Sequence, residues 1–180
     1  MRAKHVIAVL WWAFGCSAAV AQDAAALARQ CEAAQQIAPG ERITACTQML
    51  GLTAKNPRAQ AMVYTNRAWP YSLQGRFDLA MADLDQALRL QPNSAIILND
   101  RGFTFLRMGR LDLALANYNA ALQSDPGTVY ALYGRGIVQA RQGHAAAAQG
   151  DLDAARRLQP GVDAFFEGLG VKPSCLRRSN

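Results

Sequence analysis

Residues 95–128 read AIILNDRGFTFLRMGRLDLALANYNAALQSDPGT, and the segments on either side repeat their pattern. Three prolines, Pro92, Pro126 and Pro160, recur at a constant interval and close the segments 61–94, 95–128 and 129–162. Small residues recur at matching offsets in all three segments: Ala68, Gly102 and Gly136; Gly75, Gly109 and Gly143; Ala80, Ala114 and Ala148; Ala87, Ala121 and Ala155. This periodicity predicts a repeat array, an architecture whose usual role is to hold another molecule.

Each segment is predicted to form two helices. Apolar and small residues recur at helical spacing in the first half, as at Leu98, Gly102 and Phe105, and a similar spacing follows in the second half. Gly109 suits a left-handed residue that ends the first helix, and Pro126 forces the second helix to end before it. Because the connections are short, neighbouring helices are expected to be antiparallel and to approach closely at the small residues.

The length of the period, about 34 residues, and the placement of the small residues resemble the tetratricopeptide repeat family over about 100 of the 180 residues. The resemblance implies an all-α fold, a right-handed superhelical solenoid of antiparallel helix pairs. Region 57–162 would hold the three full repeats. A degenerate helical hairpin is expected at 22–56, because Cys46 lies one period before Ala80. A capping helix is expected at 163–172 and a loose tail at 173–180.

The segment 1–21 has the pattern of a secretory signal peptide. Arg2 and Lys4 precede an apolar run from residue 6 to 14, and Ala19-Val20-Ala21 is a small-x-small cleavage pattern. Cleavage after Ala21 would send the protein to the periplasm or outside the cell. Two alternatives stay open: a membrane anchor, for which the apolar run is short, and lipid attachment at Cys16.

Cys31 and Cys46 are predicted to form a disulfide bond. The amphipathic segments 23–36 and 41–52 flank a break at Ala38-Pro39-Gly40, and the two cysteines are equally distant from it. In an antiparallel hairpin they would face each other, and export would allow oxidation. The alternative is two buried free cysteines. Cys175 would be left unpaired or would pair between chains.

Composition fits one globular domain, with 51% hydrophobic and 18% charged residues. The net charge of +6 raises the possibility of nucleic acid or anionic lipid as a partner. Export and the lack of a dense basic cluster argue against nucleic acid. Membrane association is expected only with a lipid on Cys16.

The sequence predicts no enzyme, no cofactor and no metal site. His144, the one histidine after the signal segment, follows the turn glycine Gly143 and fits a solvated turn residue. The carboxylate pair Asp83/Asp85 recurs as Asp151/Asp153, but Asn117/Asn119 takes the same places in the middle repeat. These residues are therefore interpreted as scaffold: Arg67 is predicted to pair with Asp83, Arg135 with Asp151, and Arg101 with Asn117.

The resemblance implies a concave groove lined by the first helix of each repeat, where family members often hold an extended peptide or a partner helix. The matching residues are Met62, Asn66, Trp69, Ile96, Asn99, Phe103, Arg107, Tyr130, Tyr133, Ile137 and Arg141. Aromatic area with a few amides and arginines suits peptide capture. The alternative is that several of them pack between repeats or under the capping helix.

These observations predict a non-catalytic protein–protein interaction module, an adaptor of the bacterial cell envelope that binds a peptide or partner segment in its groove. The main alternative is an envelope lipoprotein, with lipid on Cys16, that scaffolds an assembly or secretion complex. A third hypothesis is an enzyme or enzyme accessory whose site the sequence does not reveal. The partner's identity and the oligomeric state stay open.

Overall fold

The computed structural model describes residues 22–33 and 37–173. Within these ranges the regular structure is entirely helical. The helices are α1 (22–32), α2 (Pro39–Thr53), α3 (Pro57–Leu73), α4 (Phe77–Leu90), α5 (Ala95–Arg107), α6 (Leu111–Ser124), α7 (Val129–Arg141), α8 (Ala145–Leu158) and α9 (Val162–Gly168).

The helices pack as three consecutive antiparallel pairs, α3 with α4, α5 with α6 and α7 with α8. The first helices also contact one another, α3 with α5 and α5 with α7, whereas α4 and α6 do not meet. The first helices therefore line the inner, concave face, and the second helices form the outer face. This arrangement confirms the predicted solenoid of helix pairs.

Glycine and proline place the helix boundaries at the repeat period. Gly75, Gly109 and Gly143 adopt the left-handed conformation, with φ of 73°, 74° and 85°. Each follows the first helix of its pair, where a residue without Cβ closes the turn at little steric cost. The second helices α4, α6 and α8 all end shortly before their proline.

Small residues allow the close helix contacts that the sequence predicts. A Cβ at Gly102 would lie 3.0 Å from the Tyr118 ring, and one at Gly136 would lie 2.8 Å from Leu152. Gly134 is tighter still, since its Cβ would lie 2.4 Å from Tyr118 Cζ. Tyr118 fills the space between α5 and α7 and is fully buried.

The N-terminal hairpin carries the predicted disulfide bond. Cys31 in α1 and Cys46 in α2 are bonded, with their Cα atoms 4.8 Å apart. Both side chains are buried, and Ala45 and Val63 pack around them. The predicted signal peptide at 1–21, the alternative lipid site at Cys16 and the residue Cys175 lie outside the described residues.

Arginine side chains of the first helices form ion pairs with aspartates of the second helices. Arg67 binds both oxygens of Asp83 at 2.8 Å, and Arg135 binds both oxygens of Asp151 at 2.6 and 2.8 Å, as predicted. The prediction for Arg101 was wrong. Asn117 donates its amide to the carbonyl of Leu113 in its own helix, so Arg101 pairs with Asp85 of the preceding repeat at 3.0 Å.

The C-terminal end is closed by α9, which lies where the sequence predicts a cap. The helix ends at Gly168, and Gly170 follows with a φ of 71°. Val162, Phe166 and Val171 are buried in the largest apolar cluster of the protein. The segment after Pro160 therefore belongs to the folded body as far as residue 171.

Candidate functional site

The structure divides the predicted groove residues by exposure. Met62 and Ile96 are open to solvent, at 38% and 53% exposure. Partly buried are Asn66, Trp69, Arg107, Tyr130 and Arg141. Fully or almost fully buried are Asn99, Phe103, Tyr133 and Ile137. A partner bound to this conformation would meet the first group directly, whereas Phe103, Tyr133 and Ile137 of the last group are packed in the apolar core.

The buried aromatic residues are covered by α9, the outcome that the packing alternative anticipates. The Phe166 ring lies 4.5 Å from the Tyr133 ring and 6.3 Å from the Phe103 ring, measured between centroids. The Phe165 ring lies 4.8 Å from the Tyr130 ring. We call Trp69, Phe103, Tyr130 and Tyr133, which the two phenylalanines of α9 cover, the aromatic half of the concave face.

Polar contacts hold both ends of α9. At its start, Asp163 accepts a hydrogen bond from the Tyr133 hydroxyl at 2.7 Å and pairs with Arg156 at 2.9 Å. Burial and this hydrogen bond raise the pKa of Tyr133 above its usual value, so the hydroxyl stays a donor. Beyond the end of α9, Arg107 donates to the carbonyl of Leu169 at 3.3 Å and to that of Leu73 at 3.3 Å.

A polar group of residues occupies the other half of the concave face. Arg42 of α2 donates from Nε to the Cys31 carbonyl at 2.8 Å and from Nη2 to Asn66 Oδ1 at 3.4 Å. Asn99 donates from Nδ2 to Asp100 Oδ1 at 3.0 Å. We call Arg42, Asn66, Asn99 and Asp100 the polar half. Sequence reasoning missed Arg42, because it comes from the hairpin and not from a first helix of a full repeat.

Several buried polar atoms in this region have no hydrogen-bond partner in the described structure. They include Arg42 Nη1, Asn99 Oδ1 and the hydroxyl of Tyr118. Protein atoms crowd around the carboxyl group of Asp100, although the residue keeps some contact with solvent. Burial raises the pKa of Asp100 to about 7, while the hydrogen bond from Asn99 and the charge of Arg42 act in the opposite direction.

The polar half adjoins open surface. A cleft of about 330 Å³ lies between α1, α2 and α3, and Met62 and Asn66 line it together with Met49, Asn56 and Val63. Ile96 occupies in α5 the position that Met62 occupies in α3, one repeat earlier. The polar half thus lies next to exposed apolar side chains, while its atoms without partners, Arg42 Nη1 and Asn99 Oδ1, are buried.

His144 is an exposed residue at the start of α8. In the described ranges, no group of three or more His, Cys, Asp or Glu side chains is placed to hold a metal ion. Among these residues, too, no helix is long and apolar enough to cross a membrane.

Comparison with known proteins identifies the repeats. A family model described as TPR repeat matches residues 71–109 and 104–143. Over residues 71–143 the chain therefore resembles the tetratricopeptide repeat. No curated protein sequence matches the chain.

Two solved structures resemble the fold. The structure of MamA is 18% identical with a TM-score of 0.56, covering 74% of this chain and 80% of that one. The structure of YrrB, described as a TPR protein with an unusual peptide-binding site, is 19% identical with a TM-score of 0.52, covering 74% of this chain and 66% of that one. At these identities the likeness concerns the fold.

Proposed function

We propose that the protein is a non-catalytic interaction module that binds an extended peptide or partner segment along the polar half of its concave face. One observation carries the proposal: the apolar side chains of Met62 and Ile96 are exposed beside buried polar atoms of Arg42 and Asn99 that lack partners. Unpaired buried polar groups are costly, so a side-chain movement that lets a ligand pair them would recover that free energy.

The chemistry of this surface fits a peptide backbone. An extended chain presents N–H donors and C=O acceptors alternately, and its side chains need apolar contacts. Arg42 Nη1 is a donor, whereas Asn99 Oδ1 and the Asp100 carboxylate are acceptors. The peptide-binding site in the description of YrrB supports the same kind of ligand for a TPR fold.

We further propose that the protein acts in the bacterial cell envelope after export. The signal pattern of residues 1–21 supports this location, and so does the Cys31–Cys46 disulfide, since such bonds persist in oxidising compartments. N-terminal sequencing of the mature protein tests the location. A chain that begins at Gln22 is expected, and one that keeps Met1 would contradict export by cleavage.

Lipid attachment at Cys16 is the second candidate, and it would make the protein a membrane-anchored scaffold. Labelled palmitate incorporated into the native chain and absent from Cys16→Ser would establish it. An unlabelled native chain in the soluble envelope fraction would favour the free adaptor.

Paired variants test the binding surface. Met62→Glu with Ile96→Glu places charge on the concave face, and Leu79→Glu with Leu113→Glu places it on α4 and α6, where those side chains are 41% and 44% exposed. Partners captured from an envelope extract are expected to be lost with the concave pair and kept with the outer pair. The opposite pattern would locate binding on the outer face and refute the proposal.

A further inference from the structure

We propose that α9 is an exchangeable occupant of the aromatic half, and that this site accepts a helical partner segment with two adjacent aromatic residues and an aliphatic residue three positions later. In this chain those residues are Phe165, Phe166 and Leu169. The inference rests on the proposed function, since it treats the concave face as the binding surface, but it concerns a different half of that face.

The helix α9 contacts more of the array than a capping helix needs to. To cover the open end of the array, a capping helix needs contact with the last pair, α7 and α8. The Phe165 ring instead extends to within 6.3 Å of Trp69 in α3, two repeats away, and Phe166 reaches Phe103 in α5. One short helix thus contacts the first helix of every full repeat, as a ligand lying across the concave face would.

Two of the rings that receive α9 contact each other directly. Trp69 stacks on Phe103 with centroids 4.8 Å apart and an interplanar angle of 21°, although the two residues come from different repeats. Stacked aromatic rings offer a large apolar area with few rotatable bonds. The pair of phenylalanines in α9 covers this surface, and a partner with the same pair would meet the same rings.

Arg107 supplies the polar contact at the C-terminal end of α9. Its guanidinium bridges the Leu169 carbonyl, just beyond the end of α9, and the Leu73 carbonyl at the end of α3. The carbonyls at a helix C-terminus have no partner within the helix and accept such bonds readily. Because the contact uses a main-chain atom, any helical segment that ends at this place can make it.

The chain holds α9 in a manner that permits exchange. The helix has seven residues, and isolated helices of this length are not stable in water. It therefore depends on docking, and its first residue follows Gly161, an exposed glycine in the left-handed conformation with a φ of 94°. Phe165 and Leu169 are only partly buried, so an incoming segment can begin to replace them from the solvent side.

Hydrogen exchange on the unaltered full chain tests whether α9 opens by itself. The amide hydrogens of residues 165–171 are expected to exchange at least about tenfold faster than those in the centre of α7. Equal protection in α7 and α9 would mean that α9 leaves only when the repeats unfold. That result would make α9 a fixed cap and overturn the proposal.

A fluorescence titration tests the ligand chemistry. Trp11→Phe and Trp12→Phe leave Trp69 as the one indole of the full chain, and Phe165→Ala with Phe166→Ala in the same chain empties the aromatic half. The probe is the peptide GVDAFFEGLGVKP, residues 161–173, and the control peptide has alanine at both phenylalanines. The emptied chain is expected to bind the probe at least about tenfold more tightly than the chain that retains both phenylalanines, because there α9 competes.

The ligand assignment would be refuted if the probe and the control peptide cause equally weak changes in Trp69 fluorescence. This outcome counts only if the emptied chain keeps its helical circular dichroism. If the emptied chain loses its helices, the exchange experiment on the unaltered chain decides. If this titration fails but Met62→Glu with Ile96→Glu still abolishes the capture of partners from an envelope extract, the proposed function stands. Conversely, the probe peptide could bind while those two substitutions leave partner capture unchanged. That result would place the partner-binding site in the aromatic half.

Discussion

Tyr118 of α6 lies against the backbone of Gly134 in α7, so closely that a methyl group at position 134 would lie 2.4 Å from the ring carbon that bears the hydroxyl. The contact joins the second and third repeats. It has no counterpart among the small residues that define the period, since Asp100 and Asn66 stand one and two periods before Gly134.

Gly134→Ala is therefore expected to destabilise the protein by about 1–3 kcal/mol, as overpacking of a well-filled core does. The matched control is Gly150→Ala in α8, where a Cβ would meet nothing within 4 Å. That change should leave stability unchanged or raise it by up to about 1 kcal/mol through helix propensity. Urea unfolding of both variants measures the difference, and equal effects would contradict the assigned contact.

The pairs formed by Asp83 and Asp85 should differ in energy although both lie in α4. Asp83 is bound by two nitrogens of Arg67, and its side chain is 6% exposed, whereas Asp85 is 45% exposed in its pair with Arg101. Asp83→Asn is expected to cost about 1–3 kcal/mol and Asp85→Asn less than about 1 kcal/mol. Chemical denaturation checks the order, and a larger loss at Asp85 would reverse it.

Because of Asp100, the free energy of unfolding is expected to fall as the pH rises from about 4 to about 7. Its pKa in the folded protein, about 7, lies above the value of 3.8 for a free side chain, so the folded state holds the proton more tightly. In that window the unfolded chain ionises first and is favoured. Arg42 and Arg141 are the cations near this cluster, and Tyr118 is the neighbouring phenol.

Asp100→Asn is expected to flatten that slope and to stabilise the protein above pH 7, since each pKa unit corresponds to about 1.4 kcal/mol. Thermal or urea unfolding between pH 4 and 8 measures it. Asp78→Asn, at an exposed position of α4, serves as the control and should keep the native slope. An unchanged slope in Asp100→Asn would exclude this carboxyl group as its source.

Reduction of the Cys31–Cys46 bond should destabilise the N-terminal hairpin by about 3 kcal/mol, the value for a loop of this length. The test uses a chain with serine at positions 16 and 175, so that only this pair reacts. Amides of α1 and α2 are expected to lose protection on reduction, while those of α5 to α8 keep it. Loss of amide protection in α5 to α8 as well would show that the repeats depend on the Cys31–Cys46 disulfide.

The sequence specified the array because its period fixes which residues face each other. Gly75, Gly109 and Gly143 mark the turns by their need for a left-handed backbone, and Cys31 and Cys46 follow from symmetry about one turn. Such signals are local or repeat at a constant offset. Helix order, pairing and the disulfide were therefore predictable.

The distribution of exposure within the groove was not predictable in this way. Phe103 and Tyr133 occupy groove positions of the repeat, yet the structure buries them because α9 bends across the array. Arg42 joins the polar half from outside the full repeats, and Arg101 turns to Asp85 once Asn117 is engaged by its own helix. These outcomes depend on contacts between segments that no fixed spacing relates.

The two ends of the array are closed by different means, and this gives the molecule a polarity. A covalent bond joins α1 to α2, whereas α9 is held by rings and a few hydrogen bonds. Fraying should therefore start at the C-terminal end and advance toward the bonded hairpin. A protease, a chaperone or a mechanical load would act on the same end first, as long as the Cys31–Cys46 bond is intact.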